Sequence, residues 1–230
     1  MADGVRLRIM TYNVRSRRDD VPSLVTVVRD LAPDVAIIQE GPRRLRWRQQ
    51  CVNLARRTGM YFAAGGLPAL GNLVLTNMRV GVRDIADLRF PLTPGRHLRG
   101  AALVTCSAAR TRFVVAGTHL SVDATERVAQ ATMLKERLGT MGAPMIVAGD
   151  FNENSGGAAW RTLSDGLADA ALPGDMAHLG TYPSADPGER IDAVFVDPRC
   201  VILGYQVVDS ELARAASDHL PVVVDLVLPR

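Results

Sequence analysis

The run Met145-Ile146-Val147-Ala148-Gly149-Asp150-Phe151-Asn152 constrains the chain more than any other stretch. Three apolar, partly β-branched residues bounded by Pro144 and Gly149 have the length of a buried strand and are too short for a helix. The strand delivers a carboxylate, Asp150, and two residues later an amide, Asn152. Gly-Asp and Asn are also common turn formers, so the run alone reads equally well as a turn. Its company decides the matter. Other strand-like runs also close on polar pairs, at Tyr12-Asn13, Gln39-Glu40, Thr118-His119, Arg190 to Asp192 and Asp218-His219. Clusters of such strands separated by a few helices imply an α/β or α+β layered fold, with sheets at the centre and helices outside.

In chain order, residues 5–14 read as a strand followed by Arg15, Arg17 and Arg18. Pro22 opens a helix whose apolar positions Leu24, Val27, Val28 and Leu31 keep helical spacing until Pro33. Residues 35–38 form a core strand, 43–57 a basic helical segment, and 61–76 a glycine-rich stretch with one short strand at 72–76. Strands follow at 80–88, 99–105 and 112–117, with a turn-rich loop at 91–97. Asp123 and Glu126 make a capping-box pattern for a helix with Val128, Ala131, Leu134 and Leu138 inward and Gly139 at its end. After the 145–152 strand come a short helix at 156–163, a loop-rich excursion at 165–187, and strands at 191–196, 201–208 and 222–228. No linker, repeat or low-complexity tract divides the 230 residues, so one domain over 1–230 is expected.

Composition narrows the classes. No apolar run approaches the roughly 20 residues of a membrane span, and residues 1–20 lack the apolar centre of a signal peptide, so a cytoplasmic protein with no membrane span is expected. Cys51, Cys106 and Cys200 are odd in number and widely spaced, which suggests neither a disulfide framework nor a zinc site. The net charge of +3 conceals an asymmetry: residues 1–115 hold 19 Arg against 8 acidic residues, and 116–230 hold 8 Lys plus Arg against 16. All the basic residues but Lys135 are arginine, whose planar fork suits phosphate oxygens.

The polar strand ends supply Asn13, Glu40, His119, Asp150, Asn152, Asp192, Asp218 and His219, an inventory suited to phosphate-ester hydrolysis. That reaction needs a hard cation, and Mg²⁺ takes one or two carboxylates with water and substrate oxygens. It also needs a base to take a proton from water, and a cation to stabilise developing charge. Each residue alone has a plainer reading: a solvated strand exit for Glu40, a hydrogen-bonded structural histidine for His119, a turn for Asp218-His219. Asp192 resists that reading most, because a carboxylate between Ile191 and Ala193-Val194-Phe195 needs a partner.

Thr11-Tyr12-Asn13-Val14, Gln39-Glu40, Gly71-Asn72, Thr118-His119-Leu120, Gly149-Asp150-Phe151-Asn152, Arg190-Ile191-Asp192 and Ser217-Asp218-His219-Leu220-Pro221 are similar, in order and spacing, to the motifs of the endonuclease/exonuclease/phosphatase superfamily, which includes deoxyribonuclease I. The resemblance runs from residue 5 to residue 227. It implies a four-layer α/β/β/α sandwich with two central mixed or antiparallel sheets, and Mg²⁺ or Mn²⁺ as cofactor. By the same resemblance Glu40 is a metal carboxylate with Asn13 and Asp218 nearby, Asp150 and Asn152 position water, Asp192 and His219 form a pair, and His119 binds phosphate. Arg99, Asn72 and Arg15 fall at substrate-binding positions. His119 stands where apurinic endonucleases carry a different pattern, which disfavours abasic-site repair, and no acidic partner for it is evident in the sequence.

The expected activity is Mg²⁺-dependent phosphodiester hydrolysis, first of all of DNA or RNA, since the arginines at 15–18 and 43–48 follow strand ends at the mouth of the site. A sphingomyelinase-like lipid or small-molecule phosphodiesterase or phosphatase is the alternative, and a non-catalytic nucleic-acid-binding pseudoenzyme the rival class. No obligate protein partner is indicated.

Overall fold

The computed structural model describes residues 4–229. Twelve strands form two six-stranded sheets among the described residues. The first contains β1 (Gly4–Asn13), β2 (Val35–Gln39), β3 (Tyr61–Gly65), β4 (Leu73–Thr76), β11 (Val201–Val207) and β12 (Val222–Pro229), in the order β11-β12-β1-β2-β4-β3. The second contains β5 (Gly81–Arg89), β6 (Gly100–Ala108), β7 (Thr111–His119), β8 (Met145–Asp150), β9 (Ala168–Asp169) and β10 (Asp192–Val196), in the order β5-β6-β7-β8-β10-β9. Both sheets are mixed: β1–β2 and β7–β8 are parallel, their neighbours antiparallel.

Strand periodicity explains the layering. Ile9 and Ile37 face inward with Val115, Ile146 and Val194 of the other sheet, while Met10, Tyr12, Ala36 and Ile38 turn outward. The outward face is covered by α1 (Val21–Leu31), α2 (Trp47–Arg57) and α5 (Glu211–Ala216). The second sheet's outer face takes α3 (Ala124–Gly139) and α4 (Ala158–Ser164). The result is the expected α/β/β/α sandwich. Because both faces of each central strand are buried, the strands read as continuous apolar runs in the sequence.

Two local readings change. Tyr61–Gly65 is a strand, β3, inside the glycine-rich stretch for which the sequence indicates one strand only, at 72–76; pairing with β4 overrides its small residues, with a register shift between Phe62 and Ala64. The α3 cap is not the reciprocal box. Asp123 accepts from the Thr125 and Glu126 amides at 3.1 Å each, but Glu126 accepts from the Ser121 hydroxyl at 2.6 Å, and that hydroxyl oxygen in turn accepts from the Asp123 amide at 3.2 Å. No helix among the described residues is long and apolar enough to cross a membrane.

Candidate active site

The parallel pairs β1–β2 and β7–β8 point their C-terminal ends the same way, and the N-terminal end of β10 meets them. Register does the rest: Asn13 pairs with Gln39 across the first sheet, while Asp150 lies between His119 of β7 and Asp192 of β10 in the second. Gly149 permits this crowding, since a Cβ there would overlap the Thr118 carbonyl oxygen. Phe151 follows at once and packs edge-on against Trp160 and Phe195, with ring centroids 5.7 and 5.2 Å away. That cluster anchors the end of β8 in the core.

Asp150, 1% exposed, is the hub. Its Oδ2 accepts from Asn13 Nδ2 at 2.9 Å, lies 3.2 Å from His119 Nε2 and 3.8 Å from His219 Nε2. Its Oδ1 accepts the Asn152 amide at 2.9 Å. His119 therefore does have an acidic partner, unseen in the sequence because it comes from the neighbouring strand. His219 Nδ1 is 2.8 Å from Asp192 Oδ2, and one ligand atom each from Asp150, Asp192 and His219 lies within 4.8 Å of the others.

The two histidines are opposites electrostatically. Burial pulls the His119 imidazole down to about 3, with the charges of Arg99, His219 and Arg43 adding and Asp150 opposing. The neutral form is favoured at pH 7, with Nε2 facing Asp150 Oδ2. Burial pulls His219 down as well, but the charge and hydrogen bond of Asp192, with Asp150 and Asp218, more than offset it and push it up to about 9. His219 is thus an imidazolium between two carboxylates.

The remaining sequence candidates divide. Asn152 has left-handed φ of 49° and spends its side-chain N–H on the Leu120 carbonyl at 2.9 Å, so its main-chain amide serves Asp150. Glu40, also left-handed at φ 54°, lies one residue past β2 and accepts from the Ser16 hydroxyl at 3.0 Å. It shares the end of the sandwich with Asp150 but stands outside the compact Asp150-Asp192-His219 group. Asp218 pairs with Arg15 Nε at 3.0 Å, and Arg15 also reaches Asp19 at 3.3 Å, so both candidates are engaged with each other. Asn13 Oδ1 accepts the Arg15 amide at 3.0 Å. Asn72 uses its side-chain N–H groups on the carbonyls of Ala69 at 2.8 Å and Gly100 at 2.9 Å, which fixes the backbone beside Arg99. Arg99 itself is half-buried; burial holds its guanidinium below the usual value while Asp150 and Glu40 draw it up.

Three buried polar atoms at this end of the sandwich lack a partner among the described residues: Asn72 Oδ1, Arg99 Nε and Asp192 Oδ1. They are three of eight such atoms among the described residues, and at this end a bound ligand, ion or water would complete them. Glu40 at the rim with Asp150 behind it fits a hard cation, which needs few protein carboxylates. His219 does not suit a ligand role, because its Nδ1 serves Asp192 and the ring is charged.

Sequence reading missed the strap that locks this arrangement. Thr181 Oγ1 accepts the amides of Ile191 and Asp192, each at 3.2 Å, and its carbonyl accepts Leu220 N at 2.8 Å. Tyr182 then lays its ring 4.8 Å from the His219 ring. Both lie in the excursion at 165–187, where no periodicity marks them.

The sequence model described as Endonuclease/Exonuclease/phosphatase family matches residues 10–219, a span that starts before Asn13 and ends on His219. The chain belongs to this family. Family members are generally phosphoester hydrolases that depend on a divalent metal, and here Asp150 of the buried acidic and histidine cluster, with Glu40 at the rim, offers the carboxylates such an ion takes. Solved structures agree in fold. An endonuclease/exonuclease/phosphatase family protein from Bacteroides thetaiotaomicron has a TM-score of 0.80 at 19% identity, covering 99% of this chain and 100% of its own. A mannosyl-6-phosphatase of the same organism gives 0.79 at 19%, covering 96% and 100%. TDP2 of D. rerio, complexed with single-strand DNA product, gives 0.76 at 18%, covering 96% and 98%. Comparison with curated protein sequences gives no match.

Proposed function

We infer that this family member is a metal-dependent phosphodiesterase acting on nucleic acid. The observation that carries the reading is the Asp192-His219-Asp150 alignment, in which a buried imidazolium is held at one nitrogen and directed by the other toward the hub carboxylate. Such a preorganised cation costs no reorganisation when negative charge develops on a phosphoryl oxygen.

In this reading Asp150 orients the attacking water and takes its proton, while Asn13, His119 and the Asn152 amide hold the carboxylate in place. His219 Nε2 donates to a phosphoryl oxygen, and Asp192 keeps the proton on the ring. Arg99 offers its unpartnered Nε to the phosphate. Glu40, with Asp150 and Asn13 behind it, would hold Mg²⁺ or Mn²⁺, which supplies charge neutralisation on the phosphoryl group when bound. Tyr182 keeps the His219 ring in its plane, and Asp218 holds Arg15 at the rim. The basic first half of the chain, which contributes Arg15, Arg43 and Arg99 to this end, favours a polyanion over a neutral or zwitterionic substrate.

The deciding experiment measures hydrolysis of single-stranded DNA, RNA and bis(p-nitrophenyl) phosphate with Mg²⁺, with Mn²⁺ and with EDTA. Metal-dependent cleavage of a nucleic acid, reduced about 10²–10⁴-fold by Asp150→Ala, supports the reading. An Asp150→Ala protein of full activity overturns the role of Asp150, and cleavage of phosphomonoesters alone overturns the substrate class.

A further inference from the structure

Arg15, Ser16 and Arg17 are three consecutive residues with left-handed φ, at 41°, 57° and 57°, a conformation that side-chain-bearing residues rarely adopt singly. The turn points neighbouring side chains in opposite directions. Ser16 reaches Glu40 in the candidate active site, whereas Arg17 swings to α2 and donates to Gln50 Oε1 at 2.6 Å. Beyond Gln50 lies a cavity of about 520 Å³ lined by Arg17, Gln50, Asn53, Arg56 and Arg57, with Val21 and Leu54, and by no acidic residue.

A second cavity, of about 550 Å³, lies at the opposite end of the first sheet and is also arginine-lined, but its wall carries two acids: Asp225 holds Arg8 and Asp34 holds Arg79, each at 2.8 Å, and only its third arginine, Arg6, has no carboxylate partner among the described residues. In the α2 cavity none of Arg17, Arg56 and Arg57 pairs with a carboxylate among the described residues. Arg17 Nε is buried without a partner among the described residues, and burial, with a smaller contribution from the charge of Arg57, disfavours the Arg17 cation. Guanidinium groups gathered in a concavity without counter-ions are arranged for an external anion with planar, fork-matching oxygens.

We propose that the Arg17-Arg56-Arg57 cavity is a distal subsite for the phosphodiester backbone of a single-stranded nucleic acid whose scissile phosphate lies beside Glu40 and Asp150. This rests on the hydrolase reading above for the identity of the near site. One residue, Ser16 to Arg17, joins the two places, so a ligand engaging both carries phosphates at intervals along a chain. A lone phosphate or a monoester reaches only one of them.

Arg56 and Arg57 are exposed on α2 and outside the proposed catalytic machinery, so Arg56→Gln/Arg57→Gln is expected to fold. Binding of a fluorescein-labelled 12-nucleotide single strand is followed by anisotropy in EDTA, beside a labelled dinucleotide. The double variant should weaken 12-mer binding roughly tenfold or more at low salt. It should also flatten the slope of log K against log salt by about 1.4, for two lost phosphate contacts. Dinucleotide binding and bis(p-nitrophenyl) phosphate hydrolysis should stay unchanged. An unchanged 12-mer affinity and slope overturns the subsite, as does equal weakening for the dinucleotide. Arginine-dependent binding to phosphatidylserine vesicles with none to the 12-mer reassigns the cavity to lipid and overturns it too. If the wild type cleaves no phosphodiester while the 12-mer still binds through Arg56 and Arg57, the hydrolase reading fails and the subsite stands.

Discussion

Nδ1 of His219 lies 2.8 Å from Oδ2 of Asp192, with the two side chains 7% and 0% exposed. Burial alone would keep the imidazole neutral, so its charge depends on that carboxylate first, with Asp150 and Asp218 adding to it. If the charged form is the active one, activity falls as pH rises through about 9. Asp192→Asn removes the nearest negative partner and leaves the burial, with only Asp150 and Asp218 still favouring the cation, so the alkaline limb moves down from about 9. At pH 7.5 the variant should lose about 10²-fold in rate. A pH–rate profile checks this, and an unmoved alkaline limb removes the His219 proton from the mechanism.

The same two histidines shape stability with opposite signs. His219 is raised to about 9, so the native state holds a proton that the unfolded chain releases above about 6.5; its contribution is full below 6.5 and is lost as pH rises through 9. His119 is lowered to about 3, so the unfolded chain takes up a proton first, and stability falls as pH drops from about 6.5 toward 3. The swing is on the order of 3 kcal/mol for His219 and on the order of 5 kcal/mol for His119. Urea denaturation between pH 4 and 10 should therefore show His219→Gln flattening the alkaline side and His119→Gln the acid side. Parallel curves for wild type and variants would refute both assignments.

Arg190 and Asp169 form a second buried pair, both 4% exposed, with contacts of 3.1 and 2.5 Å, and the guanidinium also stacks 4.6 Å over Trp160. Its position two residues before Asp192 ties the pair to the site, but its effect is structural. Asp169→Ala leaves a buried cation alone and should cost about 3–5 kcal/mol, whereas Arg190→Met/Asp169→Leu should recover most of that loss. Equilibrium denaturation of the three proteins decides it; a double variant no better than the single would show that the ion pair itself, and not the stranded charge, carries the stability.

The strands and the hub were legible because both depend on local pattern. Apolar runs ending at or just before Asn13, Glu40, His119 and Asp150, and one opening on Asp192, announce buried strands with polar ends, and the ordered motifs fix the family. What the sequence does not carry is cross-strand pairing. His119 meets Asp150 only through the β7–β8 register, so its partner is 31 residues away. The capture of Arg15 by Asp218 joins opposite ends of the chain, and the Thr181-Tyr182 strap sits in a segment whose shape is set by its hydrogen bonds to Ile191, Asp192 and Leu220. β3 was hidden for the same reason, since its pairing with β4 outweighs the propensity of its residues.

Arg99 offers the clearest separation of fold from function. Its guanidinium is held below the usual arginine value, which means that burial outweighs the attraction of both Asp150 and Glu40, and its Nε has no partner. The folded protein therefore carries this charge at a cost that Asp150 and Glu40 return only in part. Arg99→Met keeps the apolar stem and removes the charge, so stability should stay within about 0.5 kcal/mol of wild type or rise, while the rate on a phosphodiester falls about 10²-fold. Thermal unfolding and kinetics on the same preparation test both halves. A variant that unfolds more easily yet turns over at the wild-type rate would place Arg99 in the scaffold and leave the phosphate without its proposed cation.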